Sequence, residues 1–467
     1  MANRVIKIIG CMPDLLIKNA KIFYNNYLQP AEIVIDEGKI STIAKEADVI
    51  AGEVIDAEGS LVLPAGIDVH VHFREPGLTH KEDWYTGSCA AAAGGITTVI
   101  DHPNTLPPTV DKKSFKEKLK LASRKSIVDF GIHGGVTNNL EKLNELWEEG
   151  VTAFGEIFMA ESTGGLNIDE VTLEYALRAL NELGALAVIH AEDDKIRLEC
   201  EALLKNDMSP SSHSRARPNI CEANAVQKVV ELLRNTGTRG HICHVSAFES
   251  VGVLGKDRYI ARQKSLLPIT CEVTPHHLFL STRDWDRLGC YGKMNPPLRD
   301  RRSVKFLINA LNDGTVDIVA SDHAPHCETE KDVDIKTAPS GVPGVETLMP
   351  LMLMAVKKNL LPLGRMIDAT SAAPARIFGL HRHSKGRLET GFDADLIIVD
   401  TKKVTPIKGD HLHGKVGWTP FEGIEAIFPE ITISRGDVIW DGEISASYGR
   451  GKFLPGEGKV MDIGGHF

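Results

Sequence analysis

An apolar run over residues 61–71 ends in the polar cluster Asp68, His70, His72 and Arg74, just before the chain turns at Pro76-Gly77. Side chains two apart on a strand project to the same side. His70 and His72 therefore present two imidazoles to one ion at the strand's end. Two hydrogen-bonded structural histidines would look the same, so a metal centre needs further ligands. They stand at the ends of other apolar runs: His102 and Asn104 after 97–100, Glu156 within 152–159, and His190 with Glu192 after 185–189. His244 closes the run 241–245, His276-His277 follow 268–273, and Asp322 with His326 follows 316–320. Imidazole and carboxylate suit Zn2+, with Mn2+ or Co2+ as alternatives. His70, His72 and Asp322 can hold one ion, and His190 with His244 a second. Arg74 offers a planar fork for a carboxylate.

The elements that must gather these side chains alternate in type. Amphipathic helix patterns occupy 114–123, 140–149, 170–183, 222–234 and 304–311, between the apolar runs. Ala90–Ala93 before Gly94-Gly95 reads as a helix C-terminus with its glycine stop. Eight strands, each followed by helix or loop, predict a (β/α)8 TIM-type barrel, whose chemistry sits at the C-terminal ends of the strands. An open doubly wound sheet is the rival, but no GxGxxG follows the first strand. Short β-type runs at 15–23, 32–36, 39–43 and 53–56 are matched by others at 386–389, 394–400, 431–435 and 438–441. They predict one small β-sandwich domain built from both termini. The expected division is 1–60 (with 1–12 an extension), a hydrolase barrel over 61–384, and 385–467 for the rest of the β-domain and a tail.

Of the 467 residues, 42% are hydrophobic and 25% charged, ordinary for a globular protein. No apolar run approaches the roughly 20 residues of a membrane helix, and a cytoplasmic location is the default expectation. Eight scattered cysteines without a CxxC pair read as reduced thiols. A net charge of −10 argues against nucleic acid or an anionic membrane as partner. It also requires that any anionic substrate be drawn by a local cationic pocket.

Several stretches carry a family likeness: His70-Val-His-Phe-Arg-Glu-Pro-Gly77, His102-Pro-Asn-Thr105, His241-Ile-Cys-His-Val-Ser246 and Val273-Thr-Pro-His-His-Leu-Phe279. Asn295-Pro-Pro-Leu-Arg299, Ser321-Asp-His-Ala-Pro-His326 and Gly341-Val-Pro-Gly-Val-Glu-Thr347 complete it. The chain resembles the cyclic amidohydrolases of the amidohydrolase superfamily, most of all the dihydroorotase family, from about residue 14 to about 400. The resemblance implies His70 and His72 on a more buried Zn2+, His190 and His244 on a more exposed one, and Asp322 as ligand and general base and acid. It implies reversible hydrolysis of a cyclic amide by water made nucleophilic at neutral pH, joining dihydroorotate and carbamoyl aspartate. Arg74, Asn104 and His326 would hold the substrate carboxylate. Asn295 and the 341–344 loop, with Gly341, Pro343 and Gly344, would meet the ring amides. The family often bridges its metals with a carboxylated lysine on strand 4, but no lysine occurs between Lys142 and Lys195 here. Glu156 is left at the bridging position, with Glu161 second, and either two ions or one are compatible with that change. The implied partner is a small molecule, with self-association or docking to another pyrimidine-pathway enzyme open. Allantoinase and hydantoinase (dihydropyrimidinase) are the alternatives, neither expected to carry arginine directly after HxH, and a non-catalytic structural relative is a remote one.

Overall fold

The computed structural model describes residues 6–7, 12–159 and 166–459. Eight parallel strands form the barrel. Strands 1 to 3, Gly66–Val71, Ile96–Asp101 and Asp129–Ile132, make one arc. Strands 4 to 8, Phe154–Phe158, Leu186–His190, Arg239–Ile242, Thr270–Val273 and Ile318–Val319, make the other. Single parallel bridges, Gly134 to Phe154 and Val71 to His323, join the arcs into a ring. A closed ring aims all eight strand ends at one mouth.

The outer helices follow from their periodicity. In Glu170–Leu183, Leu173, Ala176, Leu177 and Leu180 recur at helical spacing and are buried, while Asp169 caps the N-terminus by accepting from Thr172 N. Each buried leucine contributes about 1.5–3 kcal/mol, so the inward stripe positions this helix against strand 5.

Three expectations need correction. The run 61–71 is two strands, because Leu61–Pro64 pairs antiparallel with Leu396–Val399 of the β-domain before Gly66 opens the barrel. Both halves are fully buried, so no polarity change marks the break at Ala65. Residues 386–389 form no strand. The run 241–245 leaves the ladder at Ile242, because His244 turns to φ +30°.

The β-domain is a branched eight-stranded sheet. Its long strand Leu15–Tyr24 changes parallel partner along its length, from Glu53–Asp56 to Leu61–Pro64. Leu15, Ile17, Ile35, Leu396, Ile398 and Ile433, from both ends of the chain, share one core. Not all of 385–467 joins it. Ile407, Val416, Trp418 and Phe421 pack with Leu298 and Val342 of the barrel loops. Farther on, Lys452 and Leu454 bond to the backbone of Phe130 in strand 3. Among the described residues no helix is long and apolar enough to cross a membrane.

Lys385 joins the two domains. Its buried Nζ lies 2.6 Å from Asp129 of strand 3, 2.8 Å from Asp395 and 2.9 Å from Asp393. Burial alone would lower its pKa, but the carboxylates outweigh burial and raise it. Replacing one partner of a buried charge cluster strands the others at a cost of about 3–5 kcal/mol. Lys385→Met is therefore expected to lose about that much in urea unfolding, and an unchanged midpoint would refute the joint.

Candidate active site

The site begins with a glycine. Gly155 in strand 4 has φ +149°, and a Cβ there would meet Val188 O at 2.1 Å, so only glycine lets the strand pass. The next residue, Glu156, is buried among imidazoles. Its Oε1 lies 2.8 Å from His190 Nδ1 and 2.6 Å from His244 Nε2, and its Oε2 lies 3.6 Å from His70 Nε2. One carboxylate thus gives one oxygen to each half of the cluster. Asp322 Oδ1 stands 3.5 Å from His70 Nε2 and 3.3 Å from His72 Nε2, and His190 Nδ1 stands 3.1 Å from His244 Nε2. Donors around one tetrahedral ion with bonds of about 2.0–2.1 Å sit roughly 3.3 Å apart. The structure therefore brings His70, His72 and Asp322 together, and His70, Glu156 and His244 together, closely enough for each group to hold a metal ion, with His190 beside Glu156 and His244. Glu161 lies outside the described residues.

The outer nitrogens are pinned as metal-ligating histidines require. His70 Nδ1 donates to Glu272 at 2.5 Å, His72 Nδ1 to Asn104 Oδ1 at 2.7 Å, and His190 Nε2 to Glu192 at 2.8 Å. Glu192 is in turn held by Arg217 at 2.5 Å. The inner His70 Nε2 is buried without a hydrogen-bond partner, as a lone pair reserved for a cation would be. Burial would depress the histidine pKa values, yet Glu272 and Asp322 raise His70 well above its usual range. Glu156 and Glu192 likewise lift His190 to about 9 against burial. Asp322, which burial would raise, is brought down to about 2 chiefly by His70 and His72. The cluster demands positive charge at its centre, which protons or divalent cations can supply.

Arg74 at φ +62°, His244 at φ +30° and Asp322 at φ +47° occupy the left-handed region. Such backbone costs about 1–3 kcal/mol per residue and persists where the surroundings over-determine it.

Beside the cluster lies a pocket lined by Arg74, Asn104, Asn295, Ser340 and Gly341. Arg74 is 2% exposed, with its Nε donating to Pro325 O at 3.3 Å. Among the described residues no carboxylate comes within ion-pairing distance of its guanidinium. Burial lowers its pKa to about 10, which leaves it charged at neutral pH. His326 stands behind it, with Nδ1 accepting from Lys81 Nζ at 3.0 Å and Nε2 donating to Ser340 O at 3.0 Å. Pro343 and Gly344 instead line a neighbouring cavity beside His323 and Trp418. His277 is tied to Thr274 and Pro296, and His102 stacks on His70 with centroids 4.0 Å apart.

Sequence reasoning missed Glu272 and Lys331. An acid within the short strand Thr270–Val273 was the available signal for the first. Lys331, a plain loop lysine in sequence, buries its Nζ among the carbonyls of Lys293, Pro339 and Gly341 at 3.0–3.1 Å. Burial lowers its pKa to about 7. It fixes the turn at Gly341, where φ is +137° and a Cβ would meet Ala324 O at 2.4 Å. Lys331→Met should speed amide exchange at Ser340 and Gly341 by more than tenfold, with protection in strands 1 to 4 retained; unchanged exchange would disprove that role.

The chain matches the amidohydrolase family over residues 61–425. A dihydroorotase of Methanosarcina acetivorans is 65% identical over 96% of this chain and 97% of its own length. That of Halobacterium salinarum is 43% identical over 90% and 96%. Among solved structures, an L-hydantoinase from Arthrobacter aurescens superposes with a TM-score of 0.90 at 30% identity, covering 95% of this chain and all of that one. The dihydropyrimidinase of Brevibacillus agri gives 0.88 at 27%, covering 96% of this chain and all of that one. The chain belongs to the amidohydrolase family, and within it to the group whose curated members are named dihydroorotase.

Proposed function

We propose that this protein is a dihydroorotase, interconverting dihydroorotate and N-carbamoyl-L-aspartate. The observation that carries the reading is Arg74, a buried guanidinium without a carboxylate partner among the described residues, opening onto the pocket beside the histidine cluster. Burying an unpaired cation is costly, and a substrate carboxylate seated on its fork would relieve that cost. A neutral hydantoin ring would leave Arg74 unpaired, which favours this reading over hydantoinase. The relatives' names agree with it.

Held by His70, His72 and Asp322 on one side and by His190 and His244 on the other, with Glu156 shared, Zn2+ ions would supply Lewis acidity and bring the pKa of water down to about 7. Arg74 seats the substrate carboxylate, and Asn104, whose Oδ1 is committed to His72, has its amide nitrogen left to donate. Asn295 and the Gly341 backbone face the ring. Asp322 takes a proton from the attacking water and delivers it to the ring nitrogen as the C–N bond breaks. In the reverse direction it takes the proton from the carbamoyl nitrogen as the N–C bond forms and returns it to the carboxylate oxygen, which leaves as water as its C–O bond breaks. The reading is of a cytoplasmic enzyme with a free small-molecule substrate, and neither self-association nor docking to another pyrimidine enzyme enters a step.

Turnover of dihydroorotate, with allantoin and dihydrouracil untouched in parallel assays, is the expected result; the opposite preference would refute the reading. Arg74→Met should lower kcat/KM for dihydroorotate about 10²- to 10³-fold, the loss of a buried charge-assisted pair. Glu156→Ala should lose bound zinc by elemental analysis together with activity. Should that variant keep both, Glu156 does not bridge.

A further inference from the structure

A second cavity, of about 420 Å³, opens next to the substrate pocket and shares Ser340 with it. Its charge is lopsided. Among the described residues Lys205, Lys293 and Lys336 line it, together with Arg217, which is paired with Glu192 at 2.5 Å, against one acid, Glu201, which Arg197 already engages at 2.9 Å. Lys293 is mostly buried, and its Nζ donates to the carbonyls of Ile335 at 2.6 Å and Lys336 at 3.2 Å, which neutralise nothing. Two further lining residues keep donors without a hydrogen-bond partner, Ser212 at Oγ and Arg217 at Nε. The cavity is tied to the catalytic pocket through His213, which lines it and bonds Asn295 Oδ1 at 3.1 Å.

Both substrates of the proposed reaction are anions, carbamoyl aspartate carrying two carboxylates and dihydroorotate one. They must approach a chain of net charge −10 and a site built from Glu156, Glu192, Glu272 and Asp322. A concave patch of like charge focuses its field and raises the local concentration of counter-ions. Resting on the dihydroorotase reading, we propose that this cavity is an anion antechamber, a site that collects carboxylate substrates and passes them to Arg74. Its field acts before the chemical step, so it governs capture and not turnover.

Lys205 and Lys336 are exposed, so their charge can be removed without opening the core. The double variant Lys205→Gln, Lys336→Gln is expected to lower kcat/KM about 3- to 10-fold at low ionic strength, with kcat held. The factor is the same in both directions, as their shared equilibrium constant requires. Lys205→Glu with Lys336→Glu should deepen the loss, and Lys205→Arg with Lys336→Arg should restore the parent value. Near 1 M salt, where the screening length is about 3 Å, the Gln variant and parent should converge. Equal kcat/KM at low salt, or a loss that persists at high salt, overturns the antechamber. A parent protein that turns over neither compound overturns the reading beneath it, a distinguishable result.

Discussion

A carboxylate sealed among imidazoles is the constraint on which this molecule turns. Glu156 is buried and lies against His190, His244 and His70 together. A fixed negative charge in such a place is tolerable only when balanced. The outer carboxylates Glu272 and Glu192 add to the demand while holding the rings in one orientation. His70 and His190 are thereby committed to one donor direction outward and one acceptor direction inward. The same negative field would repel an anionic substrate, and the roles proposed for Arg74 and the cationic cavity answer that repulsion.

Precision at the mouth is secured by backbone, with side chains following. Gly155 brings strand 4 against strand 5, and Arg74, His244 and Asp322 leave their strands through left-handed turns. Lys331 spends a buried ammonium on three carbonyls to hold the opposite rim. These arrangements cost free energy locally, and the closed ring of strands with its leucine-lined helices is what sustains them.

Much of this was legible from residue order. Alternation made the strands and helices readable, and the helix over 170–183 has the bounds its apolar spacing implies. The histidines and Asp322 were legible because polar side chains at the ends of apolar runs have no reason to recur unless they meet. What escaped was whatever depends on partners distant in the chain. The split at Ala65 lies inside a uniformly apolar stretch, since both halves are buried against different sheets. Pro343 and Gly344 read like substrate contacts, but Gly344 N is spent on His323 Nδ1 at 3.1 Å. Lys331 gave no sign at all, since a lysine's burial is decided by the loops that close over it.

The pairing of Leu61–Pro64 with Leu396–Val399 has a consequence for biosynthesis. The strand Leu61–Pro64 of the β-domain leaves the ribosome roughly 330 residues before the strand that pairs with it. At about 5–20 residues per second, it waits on the order of tens of seconds with an edge unpaired. Exposed edges invite association with other chains, so the nascent protein is vulnerable at this edge until the later strand arrives, and a chaperone that shields the edge would protect the whole.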